Sequence, residues 1–274
     1  MASHSDRYAM EDLLYLMSRL RDRETGCPWD CQQDAVSLAS FTLEEAYEVV
    51  DAIERHDTEH LPEELGDLLF QVIFHAQLGR ESGDFDFADI VDVLTRKLVS
   101  RHPHVFPDGT LHSGRDPDQQ LENTEIHAVW EQKKHQERTR KGRRGLLADI
   151  PSALPALMRA QKVQKRAARV GFDWRDVDGV LGKVREELEE LSAEVLAGDL
   201  RGCEDELGDV LFTVVNLARH LNCDAETALR KATGKFERRF AAMESSAENA
   251  GLVLEDLSDT QLDALWRQVK SDRE

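Results

Sequence analysis

The sequence predicts an all-α protein made of tandem helical bundles, a duplicated unit, on three observations. Apolar residues recur with the 3.6-residue period of amphipathic helices, and strand-like alternation is nearly absent. One carboxylate cassette occurs twice: Glu45, Glu48, Glu64 and Asp67 return as Glu187, Glu190, Glu206 and Asp209, each 142 positions after its counterpart (187 and 45, 190 and 48, 206 and 64, 209 and 67). Between the copies, the segment RTRKGRRGLLADIPSALP (138–155) breaks the helical pattern with two glycines, two prolines and a basic cluster. A repeat of this length implies a duplicated structural unit. The expected organisation is a first domain over 1–137, structural or weakly active, a linker over 138–155, and a second, catalytic domain over 156–274.

In chain order, the periodicity predicts helices near 8–22, 41–56, 62–80, 86–102 and 119–138, then near 153–169, 177–198, 202–222, 224–248 and 259–272. Pro62 suits the first position of its helix, where its missing N–H costs nothing. Asp224 suits an N-cap. His102 and His104 flank Pro103 at a helix end and read as a terminating turn rather than metal ligands. Both halves close alike, with Trp130, Gln132 and Lys134 matching Trp266, Gln268 and Lys270 in spacing. Trp29 and Trp174 read as structural.

The 274 residues carry 35 Lys plus Arg against 54 Asp plus Glu, a formal net charge of −19. That balance argues against a nucleic-acid surface, which needs clustered cations; the basic run at 138–155 reads as a solvated hinge. The longest apolar runs are too short to span a bilayer, and the polar start of the chain lacks a signal-peptide core. Cys27, Cys31, Cys203 and Cys223 form neither a C-x-x-C pair nor a zinc spacing, and read as reduced thiols. No membrane, no nucleic acid and a cytoplasmic location are therefore expected.

The chemistry lies in the cassettes. Residues three apart share a helix face, so E-x-x-E presents two carboxylates together, and E-L-G-D on the next helix presents two more. If the helices run antiparallel, four acids converge. Such a group is too costly to bury unpaired; it takes up protons or cations. An oxygen-only donor set selects Mg²⁺, with Mn²⁺ as substitute, over zinc or copper. A di-iron bundle needs Glu-x-x-His pairs, which neither cassette has. On the third helix, Leu65, Leu68, Leu69, Val72, Ile73 and Ala76 are expected to form the core stripe. Glu64, Asp67, Gln71, Phe74, His75 and Leu78 are expected on a separate functional face, matched by Glu206, Asp209, Thr213, Asn216 and His220.

The segments GCPWD (26–30), FTLEEAYEVVDAI (41–53), PEELGDLLFQVIFHAQ (62–77), SRHPHVF (100–106), LPALMRAQKVQKRA (154–167), VGFDW (170–174), EDELGDVLFTVVNLARHL (204–221) and KFERRF (235–240) together resemble the MazG family of nucleoside triphosphate pyrophosphohydrolases, over nearly the whole chain. The resemblance implies an all-α, Mg²⁺-dependent homodimeric enzyme. Its expected reaction is hydrolysis of nucleoside triphosphates, ATP included, between the α and β phosphates. Broad specificity in nucleotide-pool sanitation and control of a stress nucleotide are implied with it. Carried over by motif, the metal and catalytic ligands become Glu187, Glu190, Glu206 and Asp209, with Glu45, Glu48, Glu64 and Asp67 as a second site. Substrate contacts become Lys183, Val184, Arg185, Glu186, Glu187 and Asp209, the run Lys235, Phe236, Glu237, Arg238 and Arg239, and Trp266. The residues add an asymmetry of their own: Lys183 and Asn216 of the second repeat stand where the first has Phe41 and Phe74, which favours the second domain as the active one. Two alternatives stand beside this reading, a non-catalytic nucleotide-sensing or partner-binding module and a pyrophosphohydrolase restricted to deoxyuridine nucleotides.

Overall fold

Each half of the chain is organised around a pair of long helices joined by a tight turn. The computed structural model describes residues 7–115, 133 and 145–271, and among these there is no β-strand. The chain divides into two units, Met1–Arg138 and Thr139–Glu274. In the first lie α1 (Met10–Leu20), α2 (Pro28–Gln32), α3 (Ala39–Glu54), α4 (Leu61–Ser82) and α5 (Phe87–Arg101). In the second lie α6 (Ala156–Ala168), α7 (Val177–Ala197), α8 (Leu200–His220), α9 (Ala225–Asn249), a short 3₁₀ turn (Leu254–Asp256) and α10 (Asp259–Ser271). No described helix is long and apolar enough to cross a membrane.

The hairpin turn repeats with the cassettes. The chain reverses through a left-handed residue, His56 (φ 57°) in one unit and Gly198 (φ 71°) in the other, again 142 positions apart. The same two closing bonds recur: His56 N–H donates to Ile53 O and Asp57 N–H to Ala52 O, while Gly198 N–H donates to Val195 O and Asp199 N–H to Glu194 O. This is the Schellman pattern, which satisfies carbonyls that the helix end would otherwise orphan. Asp199 then caps α8 by accepting from the Arg201 N–H at 3.0 Å, and Asp57 accepts from the His60 N–H at 3.1 Å. So short a turn forces α7 and α8 to run antiparallel.

Other boundaries follow local chemistry. Asp224 accepts from the Thr227 N–H at 2.8 Å and caps α9, as its sequence position implies. Asp86 and Asp89 form a reciprocal capping box at the start of α5,. Pro62 is the second residue of α4 rather than the first, because His60 is the N-cap. The five-residue α2 is too short to show periodicity and escapes sequence reading. The helix expected near 119–138, with Trp130, Gln132 and Lys134, lies outside the described residues apart from residue 133. Part of the segment read as linker packs onto the second unit: Arg166 donates to Leu146 O at 2.9 Å and pairs with Asp149, and Ile150 is buried.

The core corrects the expected helix faces. In the first unit Met17, Leu38, Ile73 and Phe74 form the buried cluster, supported by Leu13, Leu14, Leu69, Phe70, Leu78 and Phe87. Phe74, placed by the sequence on the functional face, is fully buried, while Leu65 and Val72 of the expected core stripe are exposed. In the second unit Thr213, Val215 and Asn216 are buried and Leu207, Leu211 and Val214 are exposed. Apolar character alone cannot say which side of a helix meets its own unit when both sides carry leucine. Arg21 ties the first unit together: its guanidinium makes two bonds to the Glu81 carboxylate, at 2.8 and 2.6 Å, bonds the Asp30 and Gln33 carbonyls, and lies 5.3 Å from the Phe74 ring centre. The pairing holds the Glu81 carboxyl below the usual glutamate range.

Two stability outcomes follow. Phe74→Ala should cost about 3–5 kcal/mol by chemical denaturation, the range for emptying a fully packed aromatic site. His56→Gly should instead stabilise by about 0.5–1 kcal/mol, because a left-handed backbone strains any residue with a Cβ.

Candidate metal and substrate site

In each unit three carboxylates meet across the hairpin. Glu187 and Glu190 of α7 and Glu206 of α8 place oxygens within 4.8 Å of one another, as do Glu45 and Glu48 of α3 and Glu64 of α4. Asp67 and Asp209 stand outside these groups, and both are exposed. Each aspartate sits three residues beyond its glutamate, one turn further along the axis, and its side chain is one methylene shorter. Asp67 is still close enough for its charge to act on Glu45.

The electrostatics are those of crowded like charges. The Glu45 carboxyl is pushed above the usual range by burial and by its neighbours Asp67 and Glu48. Glu64 is raised by desolvation, Glu48 and Glu63. Glu190 is raised first by the hydrogen bond that its protonated form shares with Glu187, then by desolvation and by the charges of Glu187 and Glu206. The second unit contains a cation that the first lacks. Lys183 Nζ lies 2.7 Å from Glu186 Oε1 and 2.9 Å from Glu187 Oε1, and these bonds hold its ammonium well above the ordinary lysine pKa. Glu187 itself is only 5% exposed, so its carboxylate is directional and shielded from water. The Lys183 counterpart, Phe41, instead packs edge-on against Trp29, with ring centres 5.8 Å apart.

The donor set fits a hard divalent cation: oxygen-only, multiply charged, partly desolvated and short of compensating charge. Among the other expected contacts, Val184, Arg185 and Glu186 continue along α7, with Arg185 and Glu186 exposed. Lys235, Glu237 and Arg238 are exposed on α9 and Arg239 is half-buried. No ion pair among the described residues joins these cations to Glu187, Glu190 or Glu206. Phe236 and Trp266 do come together, with ring centres 5.3 Å apart, and Phe236 stacks on Phe240 at 6.0 Å. They open onto a cavity of about 600 Å³ that Met243, Leu254 and Leu262 also line, with Glu244, Glu255 and Asp263 among its walls.

Sequence reading missed the members of that cavity beyond Phe236 and Trp266; the i, i+4 spacing of Phe236 and Phe240 was the available signal. It also missed a polar brace. Arg219 donates to Asn216 Oδ1 at 2.9 and 2.7 Å and pairs with Asp173, which His220 also contacts at 3.0 Å. The brace fixes the 2%-exposed Asn216 on α8, whereas the first unit fills this position with Phe74.

Two helical hairpins, each closing a carboxylate triad that could hold a metal ion, define a tandem-repeat α-helical protein. A family model described as the MazG nucleotide pyrophosphohydrolase domain matches residues 33–106 and 177–242, one segment over each hairpin. The chain is 48% identical over 263 residues to the nucleoside triphosphate pyrophosphohydrolase of Escherichia coli K12, covering 95% of this chain and 97% of that protein. It is 44% identical over 260 residues to the nucleoside triphosphate pyrophosphohydrolase/pyrophosphatase MazG of Thermotoga maritima, covering 95% of each. A shorter match, 38% over 163 residues, joins it to the nucleoside triphosphate pyrophosphohydrolase of Mycolicibacterium smegmatis, covering 59% of this chain and 46% of that protein. The chain belongs to the MazG nucleotide pyrophosphohydrolase family.

The raised carboxyls carry a pH signature. A carboxyl group whose pKa rises on folding favours the folded state below the ordinary glutamate range, and that advantage is lost as pH climbs through the raised value. Glu190→Gln keeps a donor to Glu187 without the charge. It should therefore raise the Tm of the metal-free protein near neutral pH, with the gain vanishing as the pH falls below the glutamate range in calorimetry.

Proposed function

We propose that this chain hydrolyses nucleoside triphosphates between the α and β phosphates, releasing a nucleoside monophosphate and pyrophosphate, and that the second unit is the active one. The observation that carries the reading is the triad of Glu187, Glu190 and Glu206 with Lys183 bonded to the buried Glu187. Near full-length likeness to relatives named for this activity supports it. Glu187, Glu190 and Glu206 would hold Mg²⁺ or Mn²⁺, with Asp209 completing the set by a rotamer change. When bound, the cation neutralises the triphosphate and lowers the pKa of a water molecule.

The chain's own groups do the rest. The carboxylates accept the proton that the attacking water gives up. The water oxygen bonds to the α phosphorus as the bond to the α–β bridging oxygen breaks, and the electron pair leaves with pyrophosphate. Lys183 can exchange its carboxylate partners for a phosphate oxygen, because a charge-assisted bond of equal kind replaces the one lost. Lys235 and Arg239 suit the β and γ phosphates, and Trp266 with Phe236 offers an aromatic face to the base. Burial of Glu187 strengthens its own bond to Lys183 relative to a fully hydrated pair,.

In this reading the first unit supports the fold: its triad stays available to a structural cation, while Phe41 and Phe74 occupy the positions of Lys183 and Asn216. The exposed Leu207, Leu211 and Val214, at i, i+4 and i+7 on α8, suit a homodimer contact, since such a stripe favours another helix over water. A cytoplasmic setting fits four free thiols,.

With Mg²⁺ and a panel of common triphosphates plus dUTP and dUDP, the wild-type chain should yield monophosphate and pyrophosphate. Glu187→Gln should lower turnover by about 10²–10³-fold or more, and Glu45→Gln should leave it nearly unchanged. Loss confined to Glu45→Gln would move the chemistry to the first unit. Turnover of dUTP and dUDP alone would restrict the substrate class, and binding without turnover would replace hydrolysis by sensing.

A further inference from the structure

Helix α6 and the residue beyond it carry Arg159, Lys162, Lys165, Arg166 and Arg169, and the chain has no Asp or Glu between Asp149 and Asp173. In a chain of net charge −19 this is a local reversal of sign. At 3.6 residues per turn the five cations fall within about a third of the helix circumference. Arg166 is buried and paired with Asp149. Arg159, Lys162 and Lys165 are exposed and form no ion pair among the described residues, presenting three cations along about 9 Å of helix.

Two ordinary explanations fall short. Cations that complement a helix dipole belong in the last turn; Lys165 qualifies, but Arg159 and Lys162 lie in the first two turns, nearer the positive end. Surface ion pairing does not apply to groups without partners. Helix α6 itself packs on α8, the helix that carries Glu206. Another face of α6 is fastened to α8 and to the turn before α9: Gln164 Nε2 donates to Phe212 O at 2.7 Å and Gln161 Nε2 to Cys223 O at 2.9 Å. Phe212 is three residues from Asp209. In the first unit α1 packs on α4 as α6 packs on α8, yet α1 carries Glu11, Asp12 and a single Arg19. The unit with Lys183 is therefore also the unit with the cationic helix.

We infer that the exposed stripe Arg159, Lys162 and Lys165 is an anion-capture surface that draws nucleoside triphosphates to the second-unit hairpin. This rests on the triphosphate-hydrolysis reading given above. A strongly acidic chain repels a polyanionic substrate, and a local positive surface on the unit that carries the site raises the encounter rate. Its effect lies on association and is screened by salt; the chemical step does not depend on it.

The test compares three full-length proteins: wild type, the triple variant Arg159→Gln/Lys162→Gln/Lys165→Gln, and a control, Arg23→Gln/Arg55→Gln/Arg96→Gln, that changes the net charge equally from exposed first-unit positions. Association of a fluorescent ATP analogue is followed by stopped flow, and ATP turnover with Mg²⁺ is measured alongside, from low salt to about 0.5 M NaCl. The α6 variant should show association and kcat/KM lowered about tenfold at low salt, with kcat unchanged, the deficit closing at high salt and the control matching wild type. Lys162→Glu alone should show the same pattern more weakly, and an unchanged Tm excludes misfolding. An α6 variant that behaves as the control, or one whose loss lies in kcat, overturns the capture surface and leaves hydrolysis standing. Wild type that binds without turnover, with slow association in the α6 variant, sinks hydrolysis and keeps the capture surface. No binding by wild type overturns both.

Discussion

Mutual repulsion among carboxylates held across a helical hairpin is the constraint to which each unit is built. Three glutamates whose oxygens lie within 4.8 Å of one another oppose folding at neutral pH,. Desolvation first and neighbouring charge second raise the Glu45 and Glu64 carboxyls, and at Glu190 the hydrogen bond to Glu187 leads. Such a group persists only when packing elsewhere holds the two helices together. The Schellman turn at His56 or Gly198 and buried contacts away from the acids supply that hold. Stability is given up at the hairpin, where the carboxylates are held close together by packing elsewhere.

The two copies answer the same problem differently. In the second unit Lys183 partly neutralises Glu187, and Arg219, Asn216, Asp173 and His220 form a polar brace behind α8. In the first unit the corresponding positions are aromatic: Phe41 meets Trp29, and Phe74 is buried beneath Arg21. A polar position that can exchange partners suits a substrate that comes and goes. An aromatic position commits the same volume to the core. The duplication thus separates into one unit with polar groups at these positions and one with aromatic packing.

Much of the fold was legible because it rests on local chemistry. Helical periodicity, the Asp224 cap and the E-x-x-E and E-L-G-D spacings place most helices and three of each four acids where they lie. The assignment of helix faces was not legible. Leu65 and Val72 look like core residues, yet they are exposed, while Phe74 and Asn216 are buried. Hydrophobicity reports a residue's wish to leave water; which neighbour removes it from water depends on partners far along the chain.

What the sequence by itself determined is the all-α duplicated plan, the carboxylate cassettes and the difference between Lys183 and Phe41, because each depends on residue identity and short-range spacing. What only the tertiary structure decided is that glutamates close the triads while Asp67 and Asp209 remain one turn away, that Lys183 bonds the buried Glu187, and that Phe236 and Trp266 share a cavity. Those facts depend on the register of one helix against another, and register is set by packing over the whole interface rather than by any local stretch of residues.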